Sequence, residues 1–216
     1  WTVLNGEIYK FLELREQLEQ QGHRFTSQTD TEVIVHLYEE LGEECVAALE
    51  GMFALAIWDD RRQRLLLARD RFGKKPLLYW DAPGRLTFAS EFQALLADPS
   101  LPRQLDPEAL ESYLAYLAIP APSSIYRAIR KLPPAHLMVR DAQGVRLRRY
   151  WSLAFAPKTP LREDEAGERL LELLTAAVRK RLISEVPLGA FLSGGVDSSA
   201  VVALMSRLMR QPVKTN

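Results

Sequence analysis

Two short stretches of this sequence place chemically active residue types at spacings that let them work together. The first is Phe191-Leu192-Ser193-Gly194-Gly195-Val196-Asp197-Ser198-Ser199. Adjacent glycines let the backbone fold tightly enough to turn successive N–H groups toward one point, and a helix starting there adds its positive end. Such a loop suits an anion. It lacks the Gly-Lys-Ser/Thr ending of a Walker A loop, so transfer of a terminal phosphoryl group is not required. Asp197 sets a carboxylate beside that anion, which repels unless Mg²⁺ lies between them, so the loop implies a metal–nucleotide complex. The plain alternative is a helix start in which the glycines make the turn and Asp197 or Ser198 caps.

The second stretch is Asn5-Gly6-Glu7. A side-chain amide, a glycine N–H and a carboxylate within three positions are the parts of an oxyanion hole with an ammonium anchor. The same letters also spell an Asn-Gly hairpin turn followed by a solvated charge. Asp30, taken alone, is a first-turn carboxylate that offsets a helix dipole, worth about 0.3–1 kcal/mol. Cys45 lies between Gly42-Glu43-Glu44 and Val46-Ala47-Ala48-Leu49 with no neighbouring base. Two adjacent glutamates raise a thiol pKa, so Cys45 reads as a packing residue and supplies no nucleophile. Arg69-Asp70-Arg71 with Lys74-Lys75 reads as a substrate patch, a solvated rim or an interdomain contact. His23, His36 and His136 show no metal-ligand spacing and no triad partner.

The elements that must hold these residues follow from periodicity. Val3-Leu4 leads as a strand into a turn at Asn5-Gly6, and Phe11, Leu14 and Leu18 mark a helix to Gln20. Thr29 with Glu32 matches a capping box opening a helix with Val33, Ile34, Leu37, Tyr38 and Leu41 on one face. Phe53–Trp58, Leu65–Ala68, Leu77–Trp80 and Leu86–Ala89 read as one antiparallel meander. Asp106 and Pro107 start a helix carrying Leu110, Tyr113, Leu114 and Leu117 inward and stopping near Pro120. His136–Arg140 and Val145–Tyr150 form a hairpin. After a short linker, 154–160, a long helix aligns Leu170, Leu174, Ala177 and Val178. A strand at Val186–Leu192, the loop, and a helix at Ser199–Met209 then begin a nucleotide-binding α/β domain.

Composition narrows the class. An apolar share of 47% with 26% charged residues describes a globular chain. Balanced charge, 28 basic against 28 acidic residues, leaves no footprint for a nucleic-acid partner. No apolar run approaches the ~18 residues of a membrane span. One cysteine cannot form an internal disulfide, which suggests a reducing compartment and no structural zinc. The chain opens on Trp1-Thr2-Val3-Leu4 without an initiator Met, and 211–216 begins an extended segment with nothing to pair against, so both ends are expected to be cuts.

Together these motifs resemble one family. Ser-Gly-Gly-Val-Asp-Ser is similar to the PP-loop of ATP pyrophosphatases. Asn5-Gly6-Glu7-Ile8-Tyr9, Thr29–Ile34, Gly51-Met52-Phe53-Ala54, Ala68–Gly73, Ala89-Ser90-Glu91 and Lys131-Leu132-Pro133-Pro134 occur in the order seen in glutamine-hydrolysing asparagine synthetases. The resemblance implies an α+β glutaminase domain of the N-terminal-nucleophile αββα type over 1–153, then the first part of an α/β adenine-nucleotide-hydrolase-like domain over 161–216. It implies that Asn5 and Gly6 form the oxyanion hole, that Glu7 contacts glutamine and that Asp30 holds its α-amino group. It also implies that Phe191, Leu192, Ser193, Gly194, Gly195, Val196, Asp197 and Ser198 bind ATP, with Asp197 toward Mg²⁺. The family's nucleophilic cysteine and an arginine that binds the glutamine carboxylate lie upstream of the Asn-Gly-Glu motif, so this chain alone is expected to be inactive. Lys10 departs from the family, which has Asn there. The resemblance implies a cytoplasmic homodimer acting on glutamine, aspartate and ATP; related amidotransferases or β-lactam synthetase-like enzymes with another acceptor, and a non-catalytic glutamine sensor, remain alternatives.

Overall fold

A computed structural model describes residues 1–184 and 186–216, which fall into two compact units, Trp1–Leu153 and Ala154–Asn216. In the first unit the elements run β1 (Thr2–Ile8), α1 (Phe11–Gln20), α2 (Asp30–Leu41), α3 (Cys45–Ala48), β2 (Gly51–Asp59), β3 (Arg64–Arg69), β4 (Leu78–Ala82), β5 (Arg85–Ala89), α4 (Phe92–Leu96), α5 (Pro107–Tyr116), β6 (Arg130–Lys131), β7 (His136–Asp141) and β8 (Gly144–Arg149). Strands β1, β2, β3, β7 and β8 form an antiparallel five-stranded sheet in that order, and β5, β4 and β6 form a second sheet.

Alternation along the strands sorts the side chains into layers, because successive residues of a strand face opposite ways. Phe53, Leu55 and Ile57 of β2, with Leu66 and Ala68 of β3 and Leu137 and Val139 of β7, join Leu14, Leu18, Val33, Ile34 and Leu37 of the helices in one core. The intervening Ala54, Ala56, Leu67 and Met138 meet Leu77, Tyr79 and Leu132 of the second sheet. On that sheet's far face Leu78 packs with Leu95 of α4, Leu101 and Ile129. Helices, sheet, sheet and helix therefore stack in four layers. The run 52–89 is thus two hairpins in two different sheets rather than one meander; the pattern of a single chain does not say where a sheet ends.

Several local expectations change. Asn5-Gly6 makes no turn: β1 continues through both, opposite Ala54 and Phe53, and the chain turns only at Tyr9-Lys10. The Thr29 side chain makes no cap bond. Glu32 instead accepts from the backbone N–H and hydroxyl groups of both Thr26 and Ser27 at 2.6–2.9 Å. Those bonds, the Ser27 hydroxyl foremost, hold its carboxyl down at about 2. Leu41 is exposed at the end of α2, beside the glycine that stops it. Asp106 caps α5, accepting from the N–H groups of Glu108 and Ala109, with Pro107 at the first helical position. Yet Leu110, Tyr113, Leu114 and Leu117 point outward, the last two 72% and 80% exposed, and only Ala109 is buried. An apolar stripe fixes a face and not its partner. Leu117 closes the helix in the left-handed conformation, φ +54°, three residues before Pro120.

In the second unit α6 (Glu163–Lys180) is followed by β9 (Gly189–Ala190), α7 (Val196–Leu208) and β10 (Lys214–Thr215). Leu174 and Val178 of α6 pack with Leu204 and Met205 of α7, while Leu170 is exposed. The strand expected over Val186–Leu192 shrinks to two residues, since Pro187 has no N–H to give a ladder. The segment expected to stand unpaired instead forms β10, parallel to β9 through Lys214↔Gly189 and Thr215↔Ala190. Strand, helix and parallel strand make one β–α–β unit.

Candidate functional site

Asn5, Gly6 and Glu7 lie along β1, an outer strand of its sheet, in register with Ala54, Phe53 and Met52. The Asn5 amide donates to the Ser90 hydroxyl at 2.8 Å. Ser90 follows β5 and lines a cavity of about 470 Å³ together with Arg69, Leu77, Glu91 and Lys131. Gly6 adopts φ +151°, and a methyl group there would stand 2.0 Å from the Met52 carbonyl oxygen. Only glycine lets β1 approach β2 at this point.

Asp30, the first residue of α2, accepts the backbone N–H of Ile8 at 2.8 Å through Oδ2. This bond brings the helix start to the residue after Glu7, so all four sequence-assigned residues gather near the end of β1. The Glu7 side chain is exposed. Ser90 was not singled out as a site residue, although it sits in a quoted motif; a serine directly after a strand is the only signal for it. Lys10, the departure from the family pattern, precedes α1 and pairs with Glu13 at 3.8 Å.

In the charged turn at 69–75, Arg69 and Asp70 serve the main chain, while Lys74 faces solvent. The Arg69 guanidinium donates to the carbonyls of Lys75, Leu132 and Gly73 at 2.7–2.8 Å. Asp70 is 1% exposed, and its carboxylate accepts the backbone N–H groups of Phe53, Phe72, Lys74 and Lys75 at 3.0–3.2 Å. Two charged side chains therefore satisfy the main chain of a tight turn beside the cavity. Lys131 likewise donates to the Ile119 carbonyl. Both cations lining the cavity are committed to main-chain oxygens, which leaves Ser90, Glu91 and Gln93 as its other polar lining residues.

Cys45 is fully buried, and desolvation pushes its thiol up to about 12, with the Glu44 charge a lesser cause. The thiolate is the reactive form, so a thiol reagent at mildly alkaline pH labels the native chain slowly and the urea-unfolded chain within the mixing time. Rapid labelling of native protein would contradict this burial.

The second candidate loop is open. Gly194 adopts φ +80° with no atom within 4 Å of the position its Cβ would take. α7 begins at Val196, three residues earlier than its apolar spacing suggests, so Val196, Asp197 and Ser198 form its first turn. Its first backbone bond runs from the Ser199 N–H to Gly195, which leaves the preceding N–H groups free of intrahelical partners. The Ser193 and Ser198 hydroxyls lie 3.1 Å apart, and Ser198 also donates to the Gly195 carbonyl. Phe191, Leu192 and Asp197 are exposed, and the Leu192 N–H is bonded to Asn216. Exposed donors, two hydroxyls and a side-chain-free glycine fit a polyphosphate, and an exposed Asp197 fits its metal.

Residues 1–151 match the family model of the glutamine amidotransferase domain. The chain belongs to that family. Residues 169–216 match the asparagine synthase family. Among relatives of this amidotransferase-domain chain, asparagine synthetase [glutamine-hydrolyzing] 3 of Bacillus subtilis is 37% identical over 94% of this chain and 33% of its own. Asparagine synthetase [glutamine-hydrolyzing] 2 of the same organism is 39% identical over 93% of this chain and 28% of its own. Amidase chry2 of Gibberella zeae is 35% identical over 99% and 32%. The chain spans about a third of the length of these relatives. A solved structure of the allosteric regulatory enzyme of purine biosynthesis matches 99% of this chain and 44% of its own, with a TM-score of 0.50 and 17% identity, which shows the fold alone. The αββα fold of N-terminal-nucleophile amidotransferases, followed by the start of an asparagine synthase domain, is the architecture the sequence resemblance implies. Among the described residues no helix is long and apolar enough to cross a membrane.

Proposed function

We propose that the complete protein is a glutamine-dependent asparagine synthetase, with a glutaminase domain over 1–153, a linker over 154–160 and the synthetase domain beginning at 161. The observation that carries this reading is the joining, in one chain, of an outer-strand Asn-Gly pair reaching a cavity through Ser90 and an open diglycine loop at the start of α7. Asn5 and Gly6 steady the oxyanion formed when the glutamine amide is attacked, Glu7 and Asp30 hold the glutamine, and Ser193–Ser198 cradle ATP with Phe191 and Leu192 toward its adenosine. Asp197 would hold Mg²⁺, which supplies charge neutralisation at the pyrophosphate.

The chemistry explains why two such sites share a chain. A carboxylate resists nucleophiles; adenylation by ATP releases pyrophosphate and turns it into an acyl–AMP anhydride, from which ammonia displaces AMP to form the amide. Ammonia released in one closed site and passed internally to the other, away from bulk water, stays unprotonated. Cys45 is no nucleophile, so the chain as given lacks glutaminase activity. Homodimerisation and a cytoplasmic setting belong to the same reading.

The test uses the full-length protein: pyrophosphate release from ATP is measured with glutamine and each amino-acid acceptor in turn. Release with aspartate supports the proposal; release only with another acceptor moves the assignment to a related amidotransferase, and none at all to a sensor. In that protein Asn5→Ala lowers glutaminase kcat about 10²–10³-fold, the usual cost of removing one oxyanion donor. An unchanged kcat would remove Asn5 from the site.

A further inference from the structure

His23 follows the end of α1, and His36 and Glu39 stand one helical turn apart on α2. The Nδ1 atoms of the two histidines are 3.0 Å apart, and Glu39 Oε2 lies 3.8 Å from the first and 3.4 Å from the second. Three ligand atoms of a tetrahedral zinc ion, each bonded at ~2.0–2.1 Å, stand ~3.3 Å from one another. The observed triangle brackets that value. Spacing in the sequence gave no sign of it, because His23 reaches His36 only through the packing of α1 on α2.

The outward nitrogens strengthen the case. His23 Nε2 is 2.9 Å from Glu40 Oε1, and His36 Nε2 is 3.7 Å from Glu32 Oε1. The Glu40 carboxylate accepts the Nε2 proton of the neutral His23 ring, which leaves that ring's Nδ1 lone pair directed at His36. The Glu32 carboxylate, by contrast, is occupied by Thr26 and Ser27 and stands too far from His36 for a hydrogen bond. The His23 lone pair, His36 Nδ1 and the Glu39 carboxylate oxygen converge on one point, an arrangement that a cation among them stabilises. Both rings are largely buried, 13% and 15% exposed, and Phe25 packs on His36 at 4.4 Å, which restrains their rotation. Glu39 is 60% exposed, so the fourth side is open to water.

We propose that His23, His36 and Glu39 bind one divalent transition-metal ion of the zinc class, with water as fourth ligand and Glu40 orienting the His23 imidazole. Two nitrogen donors disfavour Mg²⁺ and Ca²⁺, which take oxygen ligands. The ion pins the turn after α1 to the middle of α2, the helix whose first residue holds the Ile8 N–H. Binding to the folded state alone makes the Trp1–Leu153 unit melt later. The competing occupant is a shared proton in a His–His hydrogen bond.

The full chain, freed of any histidine tag and stripped with a chelator, is titrated with zinc chloride by calorimetry near neutral pH, and with Co²⁺ as a spectroscopic probe. One ion per chain, intense four-coordinate Co²⁺ bands and a zinc-dependent rise in Tm are expected. His23→Gln, His36→Gln and Glu39→Gln each weaken binding by more than about tenfold, and Glu40→Gln by about tenfold with stoichiometry kept. Glu39 is exposed, so Glu39→Gln keeps the test decisive even if a histidine variant folds poorly. Failure to bind zinc more tightly than a Kd of about 1 mM, or binding that survives both His36→Gln and Glu39→Gln, overturns the proposal.

Discussion

Asp70→Ala lowers the Tm of the Trp1–Leu153 unit by about 6–20 °C, the largest stability loss expected of a single polar substitution here. The carboxylate is buried and takes the N–H groups of Phe53, Phe72, Lys74 and Lys75. Removing it strands those donors where water enters poorly, and stranded donors cost about 1–3 kcal/mol each before relaxation. Partial relaxation brings the total to about 3–5 kcal/mol, and a domain of this size loses about 2–4 °C per kcal/mol. Asp70→Asn falls between, because its amide oxygen serves one side of the turn while its own N–H₂ faces donors on the other. Lys74→Ala, a change to an exposed neighbour, stays within about 0.5 kcal/mol of the parent. Thermal melts followed by circular dichroism decide the matter; coincident melts of Asp70→Ala and parent would show that the bonds to Asp70 do not hold this turn.

Gly6→Ala is expected to be comparably severe for a steric reason. At φ +151° the added methyl lies 2.0 Å from the Met52 carbonyl oxygen and 2.7 Å from Phe53 Cα, both backbone atoms of a central strand. No rotamer change relieves such a contact, so β1 must move away from β2 or twist out of its φ. Backbone strain of about 1–3 kcal/mol and the displaced pairing together come to about 3–5 kcal/mol. The same substitution at Gly167, mid-helix in open space, gains about 0.5–1 kcal/mol. Opposite signs for one chemical change, measured by denaturant unfolding, test the geometry; a neutral Gly6→Ala would refute it.

What the sequence showed and what it hid divide by the range of the interaction. Helix α2 was legible because Val33, Ile34, Leu37 and Tyr38 repeat at helical spacing and are all buried. The α5 start was legible because Asp106 and Pro107 act within one turn. The outward face of α5 was not, since periodicity names a face without naming a neighbour. Glu32 was given the wrong partners because Thr26 and Ser27, before the helix, outcompete its local cap. The candidate site was half visible: Asn5, Gly6, Glu7 and Asp30 stood in motifs, whereas the bond from Asn5 to Ser90 spans 85 positions and no local rule anticipates it. The role of Arg69 and Asp70 stayed open in the sequence because their partners are main-chain atoms, which have no letter there.

Main-chain anchoring by Arg69 and Asp70 decides how the rim of this cavity can diversify. Carbonyls and N–H groups are the same whatever residue bears them, so the hold of Arg69 and Asp70 on the 70–75 turn is indifferent to most of the alphabet there. Proline is barred at 72, 74 and 75, where it would delete a donor, and Gly73 is fixed by φ +64° and the crowding of Pro134. Position 74, solvent-facing, is otherwise interchangeable cargo on a rigid frame, whereas position 72 carries a ring that packs on Trp151, so this turn is a natural cassette for randomised libraries at 74.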